Sequence, residues 1–99
     1  MYSIITPKQF LRQAHKFFKK HPHLKSRFAK IVDDLCSDPF QPHLELHPLG
    51  GKLKGCHAVS LTDNYRIILT LMLTDKEIIL LDIGRRPIVS RLIKIIKRA

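Results

Sequence analysis

Hydrophobic positions in this chain follow two different periods. Phe10, Leu11, Ala14, Phe17 and Phe18 recur at helical spacing, with Arg12, Lys16, Lys19 and Lys20 on the opposite side. That pattern predicts an amphipathic helix. Thr6-Pro7-Lys8-Gln9 precedes it, with Thr6 as the expected cap, Pro7 at the first helical position and Gln9 completing a capping box. His21-Pro22-His23 breaks the helix, because the residue before a proline is driven out of the αR region. Leu24, Phe28, Ile31, Val32 and Leu35 then mark a second helix over about residues 24–36. So short a break predicts an antiparallel helical hairpin. Residues 2–5 form a short strand candidate ahead of it.

The period changes after Gly50-Gly51. Residues 56–61 alternate as one strand, and Thr62-Asp63-Asn64 supplies a polar turn. Residues 65–73 are almost continuously apolar, as a central strand buried on both faces would be. Thr74-Asp75-Lys76 is a second turn. Residues 77–83 make a third strand, ended by Gly84. Three strands joined by short turns predict an antiparallel meander. Ile88, Val89, Leu92, Ile95 and Ile96 then mark a basic amphipathic C-terminal helix. The order is β-α-α-β-β-β-α: a two-layer α+β domain over residues 1–99, with the helical hairpin packed on the meander and the first strand lengthening the sheet.

Composition adds one unusual feature. Eighteen Lys and Arg face eight Asp and Glu, a formal charge of +10 on 99 residues. Such an excess on a small domain implies an anionic partner, either nucleic acid, an acidic protein or an anionic membrane surface. The competing reading is a solvated basic rim that serves solubility. No apolar run approaches the roughly 20 residues that span a bilayer. No cationic segment leads into an apolar one as in a signal peptide, so a cytoplasmic protein without membrane contact is expected. Cys36 and Cys56 lack metal-binding spacing and are expected to be reduced, buried and small-apolar in role. His15, His21, His23 and His43 are expected at the surface or at element boundaries.

The candidate chemistry gathers in and around the hairpin. Lys52, Lys54 and His57 lie near its entrance, Arg66 begins the next strand, and Arg85 and Arg86 follow the third. Such a cluster binds phosphates and stabilises the charge that builds on phosphorus during RNA cleavage. No P-loop, HExxH, GxSxG or EF-hand pattern occurs, so neither a metal nor another cofactor is expected. The scarcity of carboxylates argues against a two-metal nuclease. RNA cleavage here would be metal-independent, through activation of the ribose 2′-OH.

Three blocks carry a resemblance. They are His47-Pro48-Leu49-Gly50-Gly51-Lys52-Leu53-Lys54-Gly55, then Asp63-Asn64-Tyr65-Arg66-Ile67-Ile68, then Leu81-Asp82-Ile83-Gly84. In order and spacing they resemble the RelE/ParE superfamily of bacterial type II toxins, in its RelE- and YafQ-like branches. The resemblance implies a RelE-like toxin that cleaves mRNA on the ribosome and is neutralised by an acidic, partly disordered antitoxin. It implies catalytic roles for Arg66, Arg86 and His47. It implies RNA or phosphate contacts for Lys52 and Lys54, with His57 and Arg85 beside them.

The sequence also departs from the family. Its Gly-x-His-x-x-x-Tyr pattern is replaced by Gly84-Arg85-Arg86-Pro87-Ile88-Val89-Ser90, and Ala58 and Ser60 occupy positions where active relatives carry Lys or His. Arginine stabilises charge but is a poor proton shuttle at neutral pH. His47 and His57 are the groups left for proton transfer. Two alternatives share this fold: a ParE-like inhibitor of DNA gyrase, and a catalytically degenerate binding module.

Overall fold

The computed structural model describes residues 1–85. The expected C-terminal helix, Arg86 and Ser90 lie outside the described residues. Five strands form one sheet: β1 (Ser3–Ile5), β2 (His47–Pro48), β3 (His57–Ser60), β4 (Tyr65–Met72) and β5 (Glu77–Arg85). Their spatial order is β1-β5-β4-β3-β2. Strands β2 to β5 pair antiparallel with their sequence neighbours, and β1 pairs parallel with β5. Helices α1 (Lys8–Lys20) and α2 (Lys25–Ser37) are joined by a 3-10 turn at Pro22–Leu24. The expected two-layer α+β architecture is what forms.

Helix α1 buries Phe10, Ala14 and Phe17, and α2 buries Ile31 and Leu35. Leu11 falls outside that stripe and is 51% exposed, because a residue one step from Phe10 is rotated by about a quarter turn. The hairpin is stitched by rings: Phe28 lies 6.2 Å from Phe10 and 5.2 Å from Phe18, between centroids. Proline 7 occupies the N-cap position rather than the first helical one, and no side chain caps the helix. Its carbonyl accepts from the Leu11 amide at 3.0 Å. The expected Thr6 capping box is therefore not used.

Strand β1 is anchored twice. The Tyr2 amide donates to the Cys36 carbonyl at 2.7 Å, and the Cys36 thiol donates to the Tyr2 carbonyl at 2.9 Å. Both cysteines are free and half-buried rather than buried. Cys36 thus clamps the end of α2 onto the first strand.

The register of β3, β4 and β5 sorts side chains between two faces. Val59, Ile67 and Ile83 lie in one row across the sheet, on the side of the helices. Ala58, Ile68 and Asp82 lie in the adjacent row on the other side. Along β5, Ile68 faces Asp82 but Leu69 faces Leu80, so Leu81 is an extra, bulged residue. The bulge keeps both Leu80 and Ile83 in the helix-side core, which strict alternation does not allow for residues three apart. On the other face a smaller cluster forms: Leu53 and Ile68 are buried, with Leu49, Cys56 and Leu81 packed against them. This cluster folds the β2–β3 connection over part of the open face.

Two strand boundaries differ from expectation. β5 continues through Gly84 to Arg85, because Arg66 and Tyr65 on β4 supply partners for both. The two-residue β2 was not predicted; Pro48 lacks an N–H and is tolerated because β2 is an edge strand.

The two faces of α1 give the first prediction. Phe10→Ala should destabilise the protein by about 3–5 kcal/mol in urea unfolding, as expected for truncating a buried aromatic. Leu11→Ala should change stability by no more than about 0.5 kcal/mol. Similar costs for the two would contradict the assigned core face.

Candidate functional site

The sheet face turned away from the helices is built by alternation. Ser60, Arg66 and Gly84 face one another across β3, β4 and β5. One row along, His47 faces Ala58, which faces Ile68, which faces Asp82. His47, Ser60, Arg66 and Asp82 therefore share one side of the sheet. Strand spacings of about 4.8 Å and a two-residue rise of about 6.8 Å put the Cα atoms of His47 and Arg66 about 12 Å apart. Two long side chains can approach a common ligand across that distance.

Local structure fixes each of these groups. Arg66 is half-buried on β4. Gly84 pairs with it on β5 and is buried. The hairpin that presents Arg66 is closed by Thr62, whose Oγ1 accepts from the amides of Asn64 and Tyr65, each at 3.2 Å. Asp63 is an exposed turn residue. Ser60 Oγ donates to the Thr62 carbonyl at 3.1 Å. Asp82 is buried, 1% exposed, and its Oδ1 accepts from the Ile83 amide at 2.8 Å.

His47 is held by its own loop. Its Nδ1 lies 2.8 Å from the Glu45 carbonyl. A carbonyl only accepts, so Nδ1 carries the hydrogen and Nε2 holds the lone pair of the neutral ring. Glu45 has φ +54°, a left-handed conformation that turns its carbonyl back toward the ring. The geometry leaves Nε2 able to take a proton.

The remaining candidates divide. Lys52 and Lys54 are exposed on the β2–β3 connection, whose Leu53 is pinned against Ile68 on the open face. They border the site. His57 pairs with Leu69 and so takes the helix side of β3, the face opposite Arg66. Its Nδ1 is buried with no partner among the described residues. Arg85 pairs with Tyr65 and also takes the helix side, with its guanidinium 5.9 Å from the Tyr65 ring centroid. The structure therefore puts His47 and Arg66 on one sheet face, Lys52 and Lys54 on the loop that packs on that face, and His57 and Arg85 on the opposite face. Arg86 lies outside the described residues.

Sequence reasoning passed over a polar cleft of about 310 Å³ beside Ser60. Arg27, Lys30, His43, Glu45 and Thr62 contribute to it. His43 Nε2 is 2.8 Å from Asp34 Oδ2 at its rim. The signal in the sequence was the cationic face of the second helix, which periodicity alone assigns to solvent. Among the described residues, no group of three or more His, Cys, Asp or Glu converges as a metal site. None of the described helices is long and apolar enough to cross a membrane.

No family model matches the chain, and no curated protein matches it in sequence. Solved structures do match. YafQ from E. coli strain BL21(DE3) superimposes with a TM-score of 0.73 at 19% identity, covering 90% of this chain and 98% of that one. The chain has the RelE/YafQ-like toxin fold. A metal-bound toxin from Helicobacter pylori gives a TM-score of 0.72 at 25% identity, covering 87% of this chain and 96% of that one. The toxin–antitoxin complex RelBE2 from Mycobacterium tuberculosis gives 0.66 at 20% identity, covering 86% of this chain and 98% of the matched one.

The His47 geometry gives a prediction independent of activity. Long-range 1H–15N spectra in alkaline buffer should show the neutral His47 ring protonated on Nδ1. A ring protonated mainly on Nε2 would contradict the hydrogen bond to Glu45.

Proposed function

We propose that this protein is the toxin of a type II toxin–antitoxin system and acts as a metal-independent, ribosome-dependent mRNA endonuclease. The observation that carries the reading is the pairing register. His47, whose Nε2 is a proton acceptor, and Arg66, a permanent cation, share the sheet face turned away from the helices, and Lys52 and Lys54 are exposed on the loop that packs on that face. The likeness in fold to YafQ and to the toxin of the RelBE2 complex supports it.

The chemistry follows from those groups. His47 Nε2 takes the proton of a ribose 2′-OH. The 2′ oxygen then bonds to the adjacent phosphorus, and the bond from phosphorus to the 5′ oxygen breaks. The products are a 2′,3′-cyclic phosphate and a 5′-hydroxyl, the latter protonated from solvent. Arg66 stabilises the charge that grows on the phosphoryl oxygens. Lys52 and Lys54 hold the flanking backbone. Arg86, which follows Arg85 in sequence, is assigned to the same phosphate. The ribosome positions the message, and that orientation stands in for the groups missing at Ala58 and Ser60.

An antitoxin partner fits the same charge pattern. A face with this excess of Lys and Arg is covered most effectively by an acidic segment that orders on binding. A gyrase inhibitor of ParE type is the second reading. It is favoured by Ala58, which is fully buried on the same face as Arg66 and supplies neither charge nor proton there.

The test is cleavage of a defined message on programmed ribosomes by the purified protein. Arg66→Ala should slow cleavage by about 10²–10³-fold, the range for removing one electrostatic stabiliser. His47→Gln should slow it by about 10²–10⁴-fold, as for loss of a general base. An intact message with the unsubstituted protein, together with inhibition of purified gyrase, would transfer the assignment to the second reading.

A further inference from the structure

A second basic concavity lies where the C-terminal end of α1 meets the β4–β5 end of the sheet. Its volume is about 510 Å³, and Lys16, Lys20, His21, Tyr65, Gly84 and Arg85 line it. Its floor is aromatic. Phe17, His21 and Tyr65 form a three-ring cluster with centroids 4.7, 4.8 and 5.1 Å apart. Arg85 lies over the Tyr65 ring. Lys16 and Lys20 are exposed, and among the described residues neither they nor Arg85 pair with a carboxylate.

Part of this arrangement has a purely structural reason. Lys19 and Lys20 stand in the last turn of α1, where cations complement the helix dipole. The dipole accounts for neither Lys16, one turn earlier, nor Arg85, which arrives from another element. It also does not account for ring faces placed among unneutralised cations. Cations that hold phosphates around aromatic faces that stack bases are the components of a single-stranded nucleic acid site. An acidic peptide needs the cations but not the rings. Gly84 lines this cavity and pairs with Arg66.

We propose that this cavity is a second RNA subsite. It takes another nucleotide of the substrate strand, with phosphate oxygens on Lys16, Lys20 and Arg85 and the base against Tyr65 and His21. The subsite rests on the endonuclease reading for its role in cleavage, but its occupancy by RNA is measurable without ribosomes.

The experiment uses the full chain and a short single-stranded oligoribonucleotide carrying 5-iodouridine. Irradiation should crosslink the probe to the peptides that contain His21 or Tyr65. In salt titrations followed by fluorescence anisotropy, Lys16→Gln/Lys20→Gln should reduce the slope of log K against log salt by about 1.4, at about 0.7 per phosphate contact for a single strand. Both positions are exposed, so the fold is retained. No measurable RNA binding, an unchanged slope, or crosslinks confined to residues 47–66 other than Tyr65 would each overturn the subsite. So would displacement of the probe by polyglutamate when no crosslink to His21 or Tyr65 forms, an outcome that favours an acidic protein. Crosslinks at Tyr65 with an intact message on ribosomes would keep the subsite and remove the nuclease reading. Cleavage without those crosslinks would do the reverse.

Discussion

The register of β3 against β4 and β5 is the constraint on which the site depends. Side chains alternate strictly along a strand, so one choice of pairing decides which residues meet the helices and which face outward. Val59, Ile67, Leu69, Leu80 and Ile83 must all reach the helix-side core. A slip of one residue would turn Arg66 into that core and expose Ile67. Burial of these large aliphatic side chains, each contributing about 1.5–3 kcal/mol, therefore aims Arg66. The bulge at Leu81 belongs to the same requirement, since without it Leu80 and Ile83 would lie on opposite faces. Packing on one side of the sheet thus determines the chemistry available on the other.

Charge is the second organising feature. The face away from the helices carries Arg66, with Lys52 and Lys54 on the loop that packs on it, and the end of α1 gathers Lys16, Lys20 and Arg85 about a ring cluster. Gly84 lies between the two. Lys8, Arg12, Lys19, Lys25, Arg27, Lys30 and Lys76 lie outside these two regions, so the charge is also spread over the helices. Under the proposed function, one acidic partner would cover both regions at once.

Much of this was legible in the sequence, for identifiable reasons. The Phe10, Ala14, Phe17 stripe and the Pro22 break announced the helical hairpin, because helical period and proline sterics are local properties. The meander was legible from its turns and its Ile- and Leu-rich strands. What escaped was whatever depends on pairing. His57 was grouped with Arg66 by proximity in sequence, yet it faces the other way because it pairs with Leu69. Arg85 was placed beyond the strand, yet it pairs with Tyr65 and turns toward α1. The tautomer of His47 depends on the left-handed backbone of Glu45, a conformation that no propensity assigns to glutamate. The cavity at the end of α1 joins residues 16–21 to residues 65–85, and no motif spans that gap.

The central claim is that the sheet face bearing His47 and Arg66 cuts messenger RNA on the ribosome. The most direct measurement is primer extension across abundant transcripts in a bacterium expressing the protein. The account predicts growth arrest with cuts phased to the codons of translated regions and absent from untranslated ones. Growth arrest with intact transcripts and induced DNA-damage signalling would contradict it.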